Sequence, residues 1–224
     1  MNNLIETRRD FLKQATLATV ALPLLIGCES RSFAGETQSD ILSRIRKNAK
    51  PRGTEGMGAI DVPDTVSWKT AFTTTPEDGK PIVISGTVFR PDGKTPAPNT
   101  LIYFYHTDKF GIYGREGQPR HGRFRGWMLT DAKGRYELAS IRPASYPNST
   151  ISQHVHMTVT GTDFREDWID SILFEGDRFI TAREREQTGQ RGGFEPIVKL
   201  VMGSDGIGRA VRNIQLMKTL FSEV

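Results

Sequence analysis

The residues best suited to chemistry lie close together in the middle of this 224-residue chain. All four histidines and all five tyrosines fall between Tyr103 and His156. Imidazole nitrogens and phenol oxygens can move protons or bind a metal ion. A β-rich domain would more often scatter its tyrosines over several strand faces, so this window predicts a functional site.

His154 and His156 fall within a run of residues that is typical of a β-strand. Residues two apart on a strand point to the same side of the sheet, so both imidazoles can face one metal ion while Val155 packs on the opposite side. Taken alone, the pair is a weak signal, and two surface histidines are its commoner explanation.

Two tyrosines stand where the backbone is constrained. Tyr146 lies in a turn between Pro143 and Pro147, and Tyr113 follows a glycine turn at Gly111. Such turns hold a side chain in one direction, so both phenols could be aimed at the histidine pair. For either tyrosine by itself, packing in the core with a satisfied hydroxyl is the alternative.

Short β-rich runs separated by turn residues surround these side chains. They are predicted at residues 66–75, 82–90, 100–106, 126–130, 136–141, 154–160, 196–202 and 210–216. Their spacing favours an all-β fold, a β-sandwich of mixed and antiparallel sheets with long loops. One short N-terminal helix is predicted at residues 40–50, and the segment 178–193 is predicted as a loop or a short solvated helix.

The N-terminal segment carries the pattern of a targeting signal. Arg8 and Arg9 precede an apolar stretch at residues 15–26, which is typical of twin-arginine export and predicts a periplasmic or cell-envelope location. Cys28, the single cysteine, then stands where lipoproteins carry their lipid, which would be the only membrane contact. A plain cleaved signal is the alternative. The predicted division is therefore signal and lipobox at 1–28, linker and short helix at 29–60, and β-sandwich at 61–224.

The composition argues for a soluble globular domain. Hydrophobic residues make up 37% and charged residues 25% of the chain, and no apolar run is long enough to span a bilayer. The formal net charge of +4 is too small to indicate a nucleic-acid partner. The oligomeric state is left open.

Several motifs in the region 81–177 together resemble the intradiol ring-cleavage dioxygenases, the family of the catechol and protocatechuate dioxygenases. The motifs, in chain order, are Gly111-Ile112-Tyr113, Phe124-Arg125-Gly126, the segment from Thr130 to Tyr136, Ile141-Arg142-Pro143 with Tyr146-Pro147, His154-Val155-His156, and Phe174-Glu175-Gly176-Asp177. Each motif is weak alone, but their order and spacing together are specific.

The resemblance implies one non-haem Fe(III) ion bound by Tyr113, Tyr146, His154 and His156. It also implies the reaction, in which O2 cleaves a catechol-type aromatic diol to a muconate-type dicarboxylic acid. Tyr146 is the expected catalytic ligand, which leaves the ion and accepts a proton when the diol binds. Zinc is the alternative metal for a histidine pair, but its usual partners are cysteine, histidine and carboxylate rather than two tyrosines.

Two departures from the family pattern concern charge around the site. Ile151 stands where many relatives have an arginine, and Ser171 stands where they often have a glutamine. Arg125 is the candidate catalytic residue that could supply the missing charge, with the loop residues Arg115, Arg120 and Arg123 as alternatives. A solvated rim is the other interpretation of this basic loop.

Other functions are compatible with parts of the sequence. A non-enzymatic β-sandwich binding lipoprotein would share only the fold, and a zinc-binding protein or hydrolase would use only the histidines. Neither accounts for both tyrosines. His106 and His121 match no ligand position and are predicted as surface or strand-end residues.

Overall fold

Two β-sheets pack against each other in the computed structural model, which describes residues 36–72, 79–114, 119–186 and 189–221. The predicted export signal at Arg8 and Arg9, the predicted lipid site at Cys28, and Arg115 lie outside these ranges, so they stay predictions. No helix within the described ranges is both long and apolar enough to cross a membrane.

In the described parts of the chain the sheets contain eleven strands. In chain order these are β1 (Lys69–Ala71), β2 (Pro81–Phe89), β3 (Leu101–Tyr105), β4 (Arg125–Leu129), β5 (Arg135–Ile141), β6 (His154–Thr160), β7 (Asp167–Phe174), β8 (Ile197–Val198), β9 (Val201–Met202), β10 (Gly208–Val211) and β11 (Ile214–Gln215). One sheet has the order β1-β5-β2-β10-β9 with β11 also on β2, and the other has the order β4-β3-β6-β7-β8. Parallel and antiparallel pairs occur in both sheets, which confirms the predicted mixed β-sandwich.

The main core lies on one face of the five-stranded sheet. Alternate residues of β3 and β6 enter it, among them Phe104 and Met157, both fully buried. The intervening residues, Tyr103, Tyr105 and His156, therefore point to the opposite face. The chemistry-bearing side chains thus stand on the outer face of a sheet whose inner face is fixed by the core.

Two α-helices lie within the described residues: α1 (Gln38–Asn48) and α2 (Ala182–Glu186). Helix α1 begins two residues before its predicted start because Thr37 and Asp40 form a capping box. Its buried side chains Ile41, Leu42 and Ile45 pack in a second apolar cluster with sheet residues. Helix α2 buries no side chain, as predicted for a solvated helix in the 178–193 segment.

Residues 50–59, which we call the strap, are tied to the five-stranded sheet by one carboxylate. Glu166 is fully buried and accepts hydrogen bonds from the backbone nitrogens of Lys50, Gly58 and Ala59. The Thr158 hydroxyl donates to the same carboxylate. Buried charge is tolerated only with such partners, so this interaction fixes the strap across the outer face of the sheet.

Several sequence-predicted boundaries were wrong. The run 196–202 divides into β8 and β9 because the chain pairs first with β7 and then with β10, in the other sheet. The run 210–216 divides into β10 and β11, and Asn213 between them accepts the backbone N–H of Thr87. Strand β7 was missing from the predicted runs. It forms because it pairs along β6.

Candidate metal centre

Four donor atoms from the predicted ligands meet at the outer face of the five-stranded sheet. The Tyr113 and Tyr146 hydroxyl oxygens are 2.6 Å apart. The Tyr146 oxygen is 3.1 Å from His154 Nε2, which is 2.9 Å from His156 Nε2. All four side chains are half-buried. The structure therefore brings together every residue that the sequence predicted as a ligand.

Tyr113 is positioned by a tight turn that precedes it. The Asp108 carboxylate accepts the backbone N–H groups of Phe110 and Ile112, and the Asp108 N–H donates to the Ile112 carbonyl. A carboxylate that bridges its own following N–H groups is a common way to stabilise a turn. Tyr113 directly follows this turn, so the fixed backbone of the turn sets the direction of its side chain.

The turn of Tyr146 is joined to the turn of Tyr113. The Ala144 N–H donates to the Asp108 carbonyl, and the Thr107 hydroxyl donates to the Ala144 carbonyl. Gly111 has a φ of +81°, and a Cβ atom there would lie 2.0 Å from the Ser145 carbonyl oxygen. Only glycine permits this approach, so the glycine of the first turn allows the two tyrosines to converge.

His154 is oriented by hydrogen bonds around the start of β6. Its Nδ1 lies 2.6 Å from the Ser152 carbonyl oxygen, which can only accept, so Nδ1 carries the proton and Nε2 presents a lone pair. The Asp177 carboxylate accepts the Gln153 N–H, and Glu184 of α2 accepts the Ser152 hydroxyl. The Phe-Glu-Gly-Asp motif thus acts on the site by fixing the backbone beside this ligand.

His156 stands at an irregularity in the sheet. The register between β6 and β7 shifts between Val155 and Met157, which changes the direction of the intervening side chain. The Ser171 hydroxyl lies 3.3 Å from His156 Nδ1. Ser171, which replaces the glutamine of many relatives, is therefore still in contact with a predicted ligand.

The protein environment favours the neutral forms of His154, His156 and Tyr113. Burial, assisted by His154, lowers the pKa of His156 to about 3, and burial also lowers the pKa of His154. Burial and the hydrogen bond to Tyr146 raise the pKa of Tyr113 above its ordinary value. At neutral pH both imidazoles therefore offer lone pairs, and ionisation of the phenol requires a nearby cation.

This arrangement fits a bound metal ion. Donor atoms that lie about 2 Å from one ion are roughly 3 Å from each other, and three consecutive pairs of the four atoms have such separations here. Two unprotonated Nε2 atoms facing each other repel unless a cation or a proton lies between them. Among the described residues, no group of three or more His, Cys, Asp and Glu side chains is placed to hold a metal. The histidine pair is instead completed by two phenols.

A cavity of about 430 Å³ opens beside the donors. Besides three of the predicted ligands, its wall contains Tyr105, His121, Trp168 and Glu55 of the strap. Of these four residues, Tyr105, His121 and Glu55 were not predicted as site residues from the sequence. Tyr105 shares its sheet face with His156, its direct partner on β6, which the strand alternation could have indicated.

Arg125 lies next to this cavity rather than in its wall. It lines a second cavity of about 500 Å³, which also contains Arg120 and shares His121 with the first. Arg125 is opposite Tyr105 on the neighbouring strand, and its guanidinium lies 5.4 Å from the centre of the Trp127 ring. Ile151 is half exposed and lines neither cavity.

The two remaining histidines were predicted as surface or strand-end residues, and the structure places His106 at a strand end and His121 in a partly buried loop. His106 directly follows β3 but is fully buried, stacked on Phe124 and hydrogen-bonded to the Ser140 hydroxyl. His121 is half-buried and lies against Tyr105. Neither belongs to the group of four donors.

The known proteins that are similar to this chain are dioxygenases. A protein-family model described as dioxygenase matches residues 64–191. The protocatechuate 3,4-dioxygenase beta chain of Burkholderia cepacia is 30% identical over 149 residues, 61% of this chain and 62% of that protein. Catechol 1,2-dioxygenase 1 of Acinetobacter lwoffii is 36% identical over 123 residues, 46% of this chain and 39% of that protein. This chain thus spans less than two thirds of the length of either relative.

Solved structures share the fold. Catechol 1,2-dioxygenase from Acinetobacter sp. ADP1 superposes with a TM-score of 0.55 at 18% identity, covering 71% of this chain and 60% of that one. The dioxygenase domain of a carbohydrate-binding fusion protein from Streptomyces sp. SirexAA-E superposes with a TM-score of 0.53 at 20% identity, covering 75% and 96%. The family model covers more than half of the sequence, and the chain therefore belongs to the intradiol dioxygenase family of the catechol and protocatechuate enzymes.

Proposed function

We propose that this protein is an intradiol dioxygenase that uses O2 to open the ring of a catechol-type aromatic diol between its two hydroxyl groups. One Fe(III) ion would be held by Tyr113, Tyr146, His154 and His156. The main support for the proposal is the position of the two phenol oxygens and two imidazole nitrogens beside a cavity. Each of these atoms lies within 3.1 Å of another of the four. The family relatives act on catechol, protocatechuate and hydroxyquinol, as their names state.

The donor set suits ferric iron better than zinc. Phenolate oxygen is a hard, anionic donor, and two of them balance much of the charge of a trivalent ion. A bound ferric ion would supply the Lewis acidity that ionises the phenols and the diol near neutral pH and draws electron density from the ring. The imidazoles of His154 and His156 add two neutral donors whose direction the sheet fixes.

Tyr146 is the residue that we expect to exchange a proton with the substrate. Its hydroxyl oxygen contacts both Tyr113 Oη and His154 Nε2, so it stands in the middle of the donor group. Its loop position leaves it freer to turn aside than either histidine, which is built into β6. A phenolate that leaves the donor group can accept one diol proton and remain hydrogen-bonded nearby.

The reaction is balanced without an external reductant. The bond between the two hydroxyl-bearing carbons breaks, both oxygen atoms of O2 enter the product, and the diol becomes a muconate-type dicarboxylic acid. The ring supplies all the electrons that O2 accepts. The cavity volume of about 430 Å³ lies in the range usual for small-molecule sites.

A visible absorption spectrum with metal analysis tests this proposal. The purified full-length chain, loaded with Fe(III), is expected to bind one iron per chain and to show a broad phenolate-to-iron band. The band should shift when catechol is added without O2, because the diol replaces one phenolate. A matched Tyr113→Phe variant should lose much of the band. A colourless protein that prefers zinc, or no metal after reconstitution, would overturn the proposal and favour a binding protein.

A further inference from the structure

A stack of aromatic rings forms one wall of the cavity. The Tyr105 ring lies 4.6 Å from the His156 ring and 3.8 Å from the His121 ring, nearly parallel to both. All three rings line the same cavity. His121 is therefore linked to His156 through the Tyr105 ring and is itself in contact with the cavity.

A chain of polar groups orients His121. The Tyr103 hydroxyl lies 2.7 Å from His121 Nδ1, and the cationic guanidinium of Arg125 acts on the same hydroxyl, where it works to lower the pKa of Tyr103. A guanidinium can only donate, so Arg125 favours the orientation in which the Tyr103 oxygen lone pairs face Arg125 and the Tyr103 proton points to Nδ1. Burial raises the pKa of Tyr103 to about 12, which keeps that proton in place at neutral pH.

The direction of these interactions determines which nitrogen of the His121 imidazole carries the proton. Because Nδ1 accepts from Tyr103, the proton of neutral His121 resides on Nε2. Among the described residues, Nε2 has no hydrogen-bond partner, and the side chain lines the cavity. An N–H donor is thus available to a ligand there.

The backbone at His121 is held firmly in an uncommon conformation. Its φ of +64° is in the left-handed region, which is costly for a residue with a side chain. At the next residue, Gly122, a Cβ atom would lie 1.4 Å from the Tyr113 carbonyl oxygen, so this loop packs directly on the backbone of a predicted ligand. The loop therefore positions His121 relative to Tyr113.

We infer that His121 binds substrate by donating its Nε2–H to a carbonyl or carboxylate oxygen on a ring substituent of the diol. Tyr103 and Arg125 are positioning residues that fix this donor. The inference rests on the proposed function and adds a substrate class, diols that carry an acceptor substituent away from the two hydroxyls. It also gives Arg125 a role through Tyr103 rather than by direct contact with the substrate.

The test uses two neutral diols of nearly the same shape. 3,4-Dihydroxyacetophenone carries a carbonyl acceptor, and 4-isopropylcatechol replaces it with an apolar group. Dissociation constants are measured without O2 for the iron-loaded wild type and for His121→Phe, which keeps an aromatic ring against Tyr105. We expect the variant to bind the acetophenone about tenfold more weakly, and the isopropyl compound within about threefold of wild type. Tyr103→Phe should give a smaller loss with the same ligand preference.

A second readout is independent of diol binding. Nitrogen NMR of the full chain carrying diamagnetic Ga(III) in place of iron should show His121 protonated at Nε2 alone, and this preference should weaken in Tyr103→Phe. Equal effects on both diols, or a proton on Nδ1, would overturn the inference while leaving ring cleavage intact. Failure of the wild type to bind either diol would overturn the proposed function and the inference together.

Discussion

Replacing His156 with alanine is expected to lower the affinity for Fe(III) by more than about a hundredfold and to abolish ring cleavage. Loss of a residue that merely orients a ligand already costs about 10- to 100-fold in metal affinity, and His156 supplies a donor atom itself, 2.9 Å from His154 Nε2. Its removal leaves three donors and a gap beside Tyr105. Iron content per folded chain and the phenolate-to-iron band measure the effect.

The matched control for this variant is His106→Gln. His106 is a fully buried histidine that contacts the Ser140 hydroxyl and lies outside the donor group. The control should lose some stability but keep one iron per chain and the visible band. If His156→Ala bound iron as tightly as the control does, His156 would not be a ligand.

Replacing Glu166 with alanine is expected to lower the free energy of unfolding by about 3 kcal/mol, because buried donors lose their shared acceptor. The donors are the backbone nitrogens of Lys50, Gly58 and Ala59 and the Thr158 hydroxyl. Release of the strap should also weaken diol binding, since Glu55 of the strap forms part of the cavity wall. Denaturant unfolding and diol titration measure the two effects.

The control for the strap is Glu166→Gln, which keeps the shape and one acceptor oxygen but removes the charge. It should lose less stability than the alanine variant. Iron binding should survive in both variants, because Glu166 contacts none of the four donors. An alanine variant as stable as wild type would show that the strap is held by other contacts.

The sequence indicated the sandwich because its strands alternate. In β6 every second side chain enters the core, so the direction of His154 and His156 followed from their spacing alone. Strand β7 could not be predicted in this way. Asp167 and Asp170 are poor strand formers, and pairing with β6 overrides their local preference.

The candidate ligands were predictable for two different reasons. The histidine pair needed only strand geometry, whereas the convergence of Tyr113 and Tyr146 depends on hydrogen bonds between two loops more than thirty residues apart in sequence. The turns around the two tyrosines allowed this convergence, and the family resemblance implied it. Glu166 and His121 carried no signal of their own, because their roles depend on distant partners: Glu166 binds the strap, over 100 residues away, and His121 depends on Tyr103.

The central claim is tested most directly by supplying catechol and ¹⁸O-labelled O2 to the iron-loaded protein and identifying the product by mass spectrometry. We predict a muconic acid that contains both atoms of the labelled O2, with no consumption of an external reductant. Recovery of unchanged catechol, cleavage outside the two hydroxyl-bearing carbons, or incorporation of a single labelled atom in the absence of exchange with water would contradict the account.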